Sequence, residues 1–220
     1  MEMKEAIDRR KSVRAYLQHP VSRVVLEEVL GRALRAPSWG NTQPWRMTVA
    51  GPAALRAIIG ETMKKIQSGE GPRPDLAVPG DWPTELDRRY RENGRELFKV
   101  LGIERGDQER RSAHRLNMFR FFGAPQAIYL HQERTLSAYS VFDAGLLAQN
   151  IALLAEEKGL GTCFLAVTVL FPEVIRKHAG IPDTDRILIG MAVGYPDKDA
   201  LINRFRSGRE PLEAVLRWVD

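Results

Sequence analysis

Residues 141–157, VFDAGLLAQNIALLAEE, are the stretch that decides the fold class, because apolar residues occupy most sides of the helix that they predict. A helix of this kind is buried in a core or in a subunit interface. Two apolar segments with strand character follow, at residues 162–167 and 187–195, and the second is apolar enough for a central strand. We therefore expect an α+β fold, rich in helices, with a small mixed sheet.

The chain before residue 141 predicts more helices and two more strands around that centre. The predicted elements are a helix from Ser22 to the Ala36-Pro37 stop, a strand at 45–50, a helix at 53–65, charged helices at about 84–101 and 107–122, and a strand at 126–131. Four Gly/Pro-rich turns in residues 67–84 predict a loop or lid, because the chain on either side is too short to fold alone. We expect a single domain, 1–220, with a loop and helical excursion at about 67–116.

The composition is that of an ordinary globular protein. The 220 residues are 44% hydrophobic and 28% charged, with a formal net charge of +5, which excludes a disordered, collagen-like or low-complexity chain. The single Cys163 can form no internal disulfide, and the N-terminus has no apolar signal segment. We expect a cytoplasmic protein without a membrane partner. Because the basic residues are scattered among acidic ones, we also expect no nucleic-acid partner.

Common catalytic motifs are missing from the sequence. It has no G-x-S-x-G elbow, no H-E-x-x-H, no C-x-x-C and no P-loop. The four histidines lie far apart and lack metal-ligand spacing, so we expect no metal site. An enzyme with this sequence would need a cofactor to supply the difficult chemistry.

Four polar clusters remain as candidate binding elements. Residues 9–14, RRKSVR, could wrap a phosphate or could be a solvated helix end. Residues 36–46, APSWGNTQPWR, could line an aromatic ligand or could be a turn with core tryptophans. Asn117 and Arg120 share a helix face and could bind the pyrimidine edge of a ring, or could be a surface pair. Residues 203–211, NRFRSGREP, are a second cationic loop or an exposed turn.

Taken in this order, the clusters resemble the FMN-dependent nitroreductase family over about residues 6–218. The long excursion at 67–116 is similar to the branch that contains nitrobenzoate reductases. The matching segments are Arg10-Lys11-Ser12-Val13-Arg14, the 36–45 motif, Asn117 and Arg120 ahead of Ala124-Pro125, residues 143–150 followed by 159–162, and Gly194-Tyr195-Pro196 with 209–212.

The resemblance implies a nitroreductase-like three-layer fold and an intertwined homodimer with two FMN sites at its interface. It implies FMN as cofactor and NAD(P)H as co-substrate. A small flat aromatic acceptor, nitroaromatic or quinone-like, would be reduced by ping-pong hydride transfer. The apolar tail after Arg209 needs a partner surface to cover it, in keeping with a dimer.

The resemblance also implies roles for individual residues around the flavin. The phosphate and ribityl region would be held by Arg10, Lys11 and Ser12, with Arg206 and Arg209. The other subunit's flavin would be reached by Pro37, Ser38, Trp39 and Asn41. The pyrimidine edge would be met by Asn117 and Arg120, and the ring near N5 would be lined by Leu165 and Ala166. Arg120 is the catalytic candidate, because a fixed cation near N1 and the C2 carbonyl stabilises the charge of the reduced ring.

Two alternatives stay open at this point. The same fold could carry other flavin chemistry, namely dehalogenation, ene reduction or flavin cleavage. A non-catalytic basic module for nucleic acid or an acidic partner is the other alternative, and it predicts a colourless protein whose DNA affinity falls steeply with salt.

Overall fold

A four-stranded antiparallel sheet in the order β1-β2-β4-β3 lies at the centre of the computed structural model, which describes residues 1–219. The strands are β1 Arg46–Ala50, β2 Gln126–Glu133, β3 Gly161–Leu165 and β4 Asp185–Gly194. The helices are α1 Met3–Arg9, α2 Arg23–Ala33, α3 Pro52–Gln67, α4 Thr84–Val100, α5 Gln108–Phe119, α6 Ala138–Glu157 and α7 Pro172–Ala179. A parallel bridge between Ser12 and Thr162 extends the sheet beyond β3.

The alternation of side chains along the strands builds two cores, one on each face of the sheet. On one face, Ile128 of β2 packs with side chains of α2 and α6, such as Leu26 and Leu147. On the other face, Tyr129 packs with side chains of α3 and α7, such as Ile58 and Ile175. The result is three layers with the sheet in the middle, as the predicted α+β class requires.

Most of the predicted elements are present, with differences at their ends. The strand predicted at 162–167 ends at Leu165, because Ala166–Val169 form a 3-10 turn in which the Thr168 hydroxyl donates 2.6 Å to the Leu165 carbonyl. The second charged helix ends at Phe119 rather than residue 122, because Phe121 and Phe122 take left-handed conformations. The short helices α1 and α7 were missing from the sequence prediction, since each has eight residues or fewer and little apolar periodicity.

Helix α6 begins earlier than predicted, at Ala138, and one side of it packs in the core through residues such as Leu147 and Ile151. By length and composition alone this helix would suffice to cross a membrane, and 44% of its most apolar window is buried inside the protein. Tyr139 and Phe142 on its other side are 62% and 64% exposed.

A close approach between chain segments fixes the N-terminal segment 10–14 against β3. The Val13 amide donates 2.9 Å to the Thr162 carbonyl, and Val13 packs directly on Gly161. A Cβ atom at Gly161 would lie 2.5 Å from Cγ2 of Val13, which is closer than carbon atoms can approach. Glycine at this position therefore allows the two segments to pack together.

The Gly/Pro-rich loop predicted at 67–84 is present between α3 and α4, and Asp75 fastens it to the rest of the fold. The buried Asp75 carboxylate accepts hydrogen bonds from Arg134 at 2.8 Å, from Arg176 at 2.5 Å and from the Ile187 amide at 2.8 Å. Burial raises the pKa of Asp75, but these hydrogen bonds outweigh burial and hold the pKa below its ordinary value. The loop is thus anchored near its middle.

A second buried carboxylate, Asp185, stabilises the end of the sheet. Its Oδ2 atom lies 2.6 Å from Nδ1 of His131, and Arg46 donates to Oδ1. The other ring nitrogen of His131 lies 2.9 Å from the Thr48 hydroxyl. Burial raises the pKa of Asp185, but the bonds from His131 and Arg46 outweigh it, so the pKa lies below its ordinary value. The ionised carboxylate therefore stabilises the folded state.

We expect Asp185→Asn to lower the free energy of unfolding by about 3 kcal/mol at neutral pH, because it removes the buried negative charge and replaces one of the two oxygens that face His131 and Arg46 with an NH2 donor. The stabilisation is complete above the ordinary aspartate pKa of about 4 and is lost as pH falls through the lower pKa of the folded state, so wild type and variant should converge in acid. Urea unfolding at several pH values measures this.

Asp87→Asn is the matched control, since the one ion pair that Asp87 forms within residues 1–219 is with Arg91, one turn away on the same helix. It should change the free energy of unfolding by less than about 0.5 kcal/mol. A difference between wild type and Asp185→Asn that stayed constant into acid would contradict the assigned role of the ionised carboxylate.

Candidate functional site

A cationic cleft of about 820 Å³ lies where the end of α1, the loop at 205–209 and α4 meet. Within residues 1–219, five positive side chains that line it form no ion pair, whereas arginines elsewhere, such as Arg91 and Arg134, pair with carboxylates. Asp8 is the acidic residue in the lining. The five unpaired cations are Arg10, Lys11, Arg14, Arg206 and Arg209. Such an excess of like charge is typical of a site for an anion.

The two ends of the chain meet at this cleft through Arg206. Its guanidinium donates to the carbonyl oxygens of Asp8 at 2.5 Å and Arg9 at 2.8 Å. These carbonyls belong to the last turn of α1, where helix carbonyls lack partners in the helix and a cation is favourable. The contact brings the loop at 205–209 beside the N-terminal segment 10–14.

The buried Asn203 organises the N-terminal segment 10–14. Its Oδ1 accepts from the Arg14 amide at 2.7 Å, and its Nδ2 donates to the carbonyls of Ala15 and Asp197, each at 2.8 Å. Its own carbonyl accepts a hydrogen bond from the Lys11 ammonium. The sequence analysis placed Asn203 only in a cationic loop, because no local pattern shows that its amide binds a segment 190 residues earlier in the chain.

The structure adds Arg14 to the candidate site, a residue quoted in the motif but given no role there. Ser12 and Arg14 are two residues apart in extended chain, so they lie on the same side, opposite the buried Val13. The Arg14 guanidinium lies 5.7 Å from the centre of the Phe205 ring. That two-residue alternation in the sequence was the signal that could have identified Arg14.

The same cation lies near His114 of α5, so Arg14 connects the cleft to that helix. Burial lowers the pKa of His114, and the positive charge of Arg14 lowers it further. The imidazole is held between the rings of Phe98 and Phe122, with centroids 5.4 and 5.7 Å away. At neutral pH, His114 is therefore an uncharged packing residue.

Cys163 of β3 lies beside the N-terminal segment 10–14. Burial raises the pKa of its thiol, and Arg14, Ser12 and Arg10 offset only part of that effect. The thiol is protonated at neutral pH and is 3% exposed, which is typical of an inert cysteine rather than a nucleophile.

The motif at 36–46 forms a tight loop beside α6, outside the cationic cleft. The Trp39 amide donates to both carboxylate oxygens of the buried Asp143, at 3.2 and 3.3 Å, and the Ser38 hydroxyl accepts from the Gln43 amide at 2.9 Å. Trp39 is 66% exposed, with its ring 4.9 Å from that of Tyr139. Pro37 and Asn41 are exposed as well. The loop thus exposes Pro37, Trp39 and Asn41 on the surface of the chain, while Ser38 is half-buried.

Asn117 and Arg120 both lie exposed at the C-terminal end of α5. Arg120 is the residue that ends the helix, and its amide donates 3.2 Å to the Asn117 carbonyl. Helix α5 packs against the 3-10 turn Ala166–Val169, next to the buried Leu165 and the exposed Ala166. The structure therefore brings together Arg10, Lys11, Ser12, Arg206 and Arg209 in one cleft. The other predicted residues do not line that cleft and lie in two separate groups, one in the 36–46 loop and one at the end of α5 and after β3.

Comparison with known proteins identifies the family of this chain. The model of the nitroreductase family matches residues 7–195. The chain belongs to the nitroreductase family. A 4-nitrobenzoate reductase of Pseudomonas putida is 33% identical over 217 residues, which cover 96% of this chain and 92% of that protein. The predicted family and its nitrobenzoate-reductase-like branch are thereby confirmed.

Solved nitroreductase structures match the whole chain. A structure named FMN and NADPH-dependent nitroreductase NfnB, from Sphigopyxis sp. strain HMH, superposes with a TM-score of 0.96 at 32% identity and covers 100% of both chains. The nitroreductase NfnB of Mycobacterium smegmatis, in complex with NADPH, superposes with a TM-score of 0.92 at 26% identity, again over 100% of both chains. The nitroreductase-like three-layer fold predicted from the sequence is confirmed.

In this nitroreductase, we expect Asn203→Ala to lower the free energy of unfolding by about 1–3 kcal/mol, because the Arg14 amide and the Ala15 carbonyl lose their partner. Thermal or urea unfolding measures the change. Asn93→Ala is the control: Asn93 is exposed on α4, and its replacement should stay within about 0.5 kcal/mol. Equal stability of the two variants would remove the organising role of Asn203.

Proposed function

We propose that this chain is an FMN-dependent NAD(P)H oxidoreductase that reduces nitroaromatic or quinone-like acceptors by a ping-pong reaction. The observation that carries the proposal is the set of five unpaired cations in one cleft. The names of the NfnB relatives, which specify FMN and NADPH, and of the nitrobenzoate reductase support the cofactor, the co-substrate and the acceptor class.

The phosphate of FMN fits the charge of the cleft. A phosphate monoester carries nearly two negative charges, and cations bind it through charge-assisted hydrogen bonds. Arg10, Arg206 and Arg209 would hold the phosphate with the Ser12 hydroxyl. Lys11 would act mainly through its charge, because its ammonium already donates to the Asn203 carbonyl. Arg14, on the same side as Ser12, would face the next part of the cofactor.

The groups on α5 and after β3 would surround the flavin ring. FMN held there would supply the redox chemistry, which is acceptance of a hydride from NAD(P)H and donation of electrons to the acceptor. Asn117 and Arg120 would bind the pyrimidine edge, and Leu165 and Ala166 would line the ring near N5, where a backbone amide needs no particular side chain. Water or the flavin N5 proton would serve as the proton source, because His114 packs against the rings of Phe98 and Phe122 and its pKa is lowered by burial.

We propose a homodimer as the working unit, supported by two exposed apolar surfaces. Trp39, Tyr139 and Phe142 form an aromatic patch beside α6, each more than 60% exposed. In the tail, Trp218 and Val219 are both 81% exposed. Exposed apolar area of this kind marks an interaction site. In such a dimer, the 36–46 loop with Pro37, Ser38, Trp39 and Asn41 would reach the partner subunit's flavin.

We further propose that the protein acts in the cytoplasm as a single domain, 1–220, with the excursion at about 67–116, and that it has neither a nucleic-acid nor a membrane partner. The small flat aromatic acceptor would be its other partner. The mixture of basic and acidic residues along the sequence and the burial of α6 within the fold support this proposal.

The direct test of the proposed function is an absorption scan with an anaerobic NAD(P)H titration. Purified protein should be yellow with an FMN spectrum that NADH or NADPH bleaches, and 4-nitrobenzoate or a quinone should restore the colour. A colourless protein that does not bind added FMN would refute the proposal. Restoration of the colour only by an enone, a halogenated aromatic or oxygen would show the same fold with different flavin chemistry.

Arg120→Ala should slow the reduction of bound flavin by NAD(P)H about tenfold and weaken flavin binding, because the charge of the reduced ring loses a fixed cation. Stopped-flow measurement of the loss of flavin absorbance follows the reaction. Arg115→Ala removes another exposed arginine from the same helix and should leave the rate unchanged. Unchanged reduction in Arg120→Ala would remove the role assigned to Arg120.

A further inference from the structure

An ion-pair cluster joins the cationic loop at 205–211 to helix α4 of the excursion. One carboxylate oxygen of Glu210 lies 2.9 Å from Nε of Arg89 and 3.5 Å from Nη2 of Arg88. Arg89 also pairs with Glu85, and Arg88 with Glu92, each one turn away on α4. The side chains of Arg89 and Glu210 are only 30% and 31% exposed, so solvent screens this pair less than it screens a fully exposed pair.

The cationic loop is held on two sides. On one side, Arg206 donates to the last carbonyls of α1. On the other side, Glu210 pairs with α4. Between these attachments lies Arg209. Among the residues that the structure describes, its guanidinium donates only to oxygens of Ser207 and Gly208 in its own loop. The position of Arg209 in the cleft therefore depends on the position of the loop, and the Glu210 attachment is adjacent to it in sequence.

Helix α4 is itself a wall of the same cleft. Arg89, Tyr90 and Asn93 of α4 line the cleft together with residues of the N-terminal segment 10–14. Arg89 thus belongs both to the lining and to the pair with Glu210. The excursion therefore contributes, through α4, to the cleft that contains the five unpaired cations.

We infer that Glu210 is a positioning residue for the cofactor phosphate. By pairing with Arg89 and Arg88, Glu210 holds the cationic loop against α4 and keeps Arg206 and Arg209 at the phosphate, so that the excursion clamps the phosphate end of the cofactor. This inference rests on the proposed function, since it takes FMN as the ligand of the cleft.

If Glu210 positions the arginines, loss of its charge should change the affinity for FMN in the opposite direction from that expected if it acts only through electrostatic repulsion. A carboxylate near a bound phosphate repels it, so its removal by charge alone would tighten FMN binding. If Glu210 positions the arginines, its removal weakens FMN binding, because the cationic loop loses its ion pairs with α4. The sign of the change therefore separates the two effects.

The test is Glu210→Gln, with the dissociation constants of FMN and riboflavin measured on apoprotein by flavin fluorescence. We expect FMN to bind about two- to fivefold more weakly, which is the range of one partly exposed ion pair. Riboflavin lacks the phosphate, so its dissociation constant should not change. Glu213→Gln is the matched control, because Glu213 lies exposed in the same tail and makes no ion pair within residues 1–219. It should bind FMN as wild type does.

A double-mutant cycle with Arg89→Gln gives a second measurement. If the pair acts as a unit, the double variant should bind FMN no more weakly than the weaker single variant. Unchanged or tighter FMN binding in Glu210→Gln overturns the inference, and so does equal weakening of FMN and riboflavin. Wild-type protein that binds no FMN overturns the proposed function as well, whereas wild-type binding with an unaffected variant overturns the positioning role alone.

Discussion

Repulsion among like charges is the constraint on which the site depends. Arg10, Lys11 and Arg14 come from the N-terminal segment, and Arg206 and Arg209 come from a loop almost 200 residues later. The fold brings them together with backbone carbonyls and amides rather than with carboxylates. Arg206 caps α1, and Asn203 binds the chain on both sides of Arg14. Repulsion among these cations lowers the stability of the folded protein, and a bound anion relieves that repulsion.

Much of the fold could be predicted because its signals are local. The apolar α6, the serine cap of α2 and the apolar run of β4 are each visible within about twenty residues. The errors lie where tertiary contacts override local pattern. The strand predicted at 162–167 ends at Leu165 because the hydroxyl of Thr168 donates to the Leu165 carbonyl in a 3-10 turn. The helix at 107–122 stops at Phe119 because Phe121 and Phe122 are buried in left-handed conformations.

The candidate site could be predicted less completely than the fold. The order of the motifs identified the family and the cationic segments that share the cleft. The contacts of Asn203 and Glu210 join residues far apart in sequence through individual hydrogen bonds or ion pairs. Such contacts produce no repeating pattern in the sequence from which they could be predicted. Arg14 and Tyr90 likewise become lining residues only once α4 and the N-terminal segment 10–14 are packed side by side.

The anchored carboxylate of Asp75 also limits how far the excursion can travel. Between this anchor and the first residue of α4 lie residues 76–83, which span at most roughly 28 Å when fully stretched. The start of α4 can therefore lie no farther from the Asp75 anchor than this short stretch of chain reaches, so the anchor keeps the wall that α4 contributes to the cleft close to the sheet.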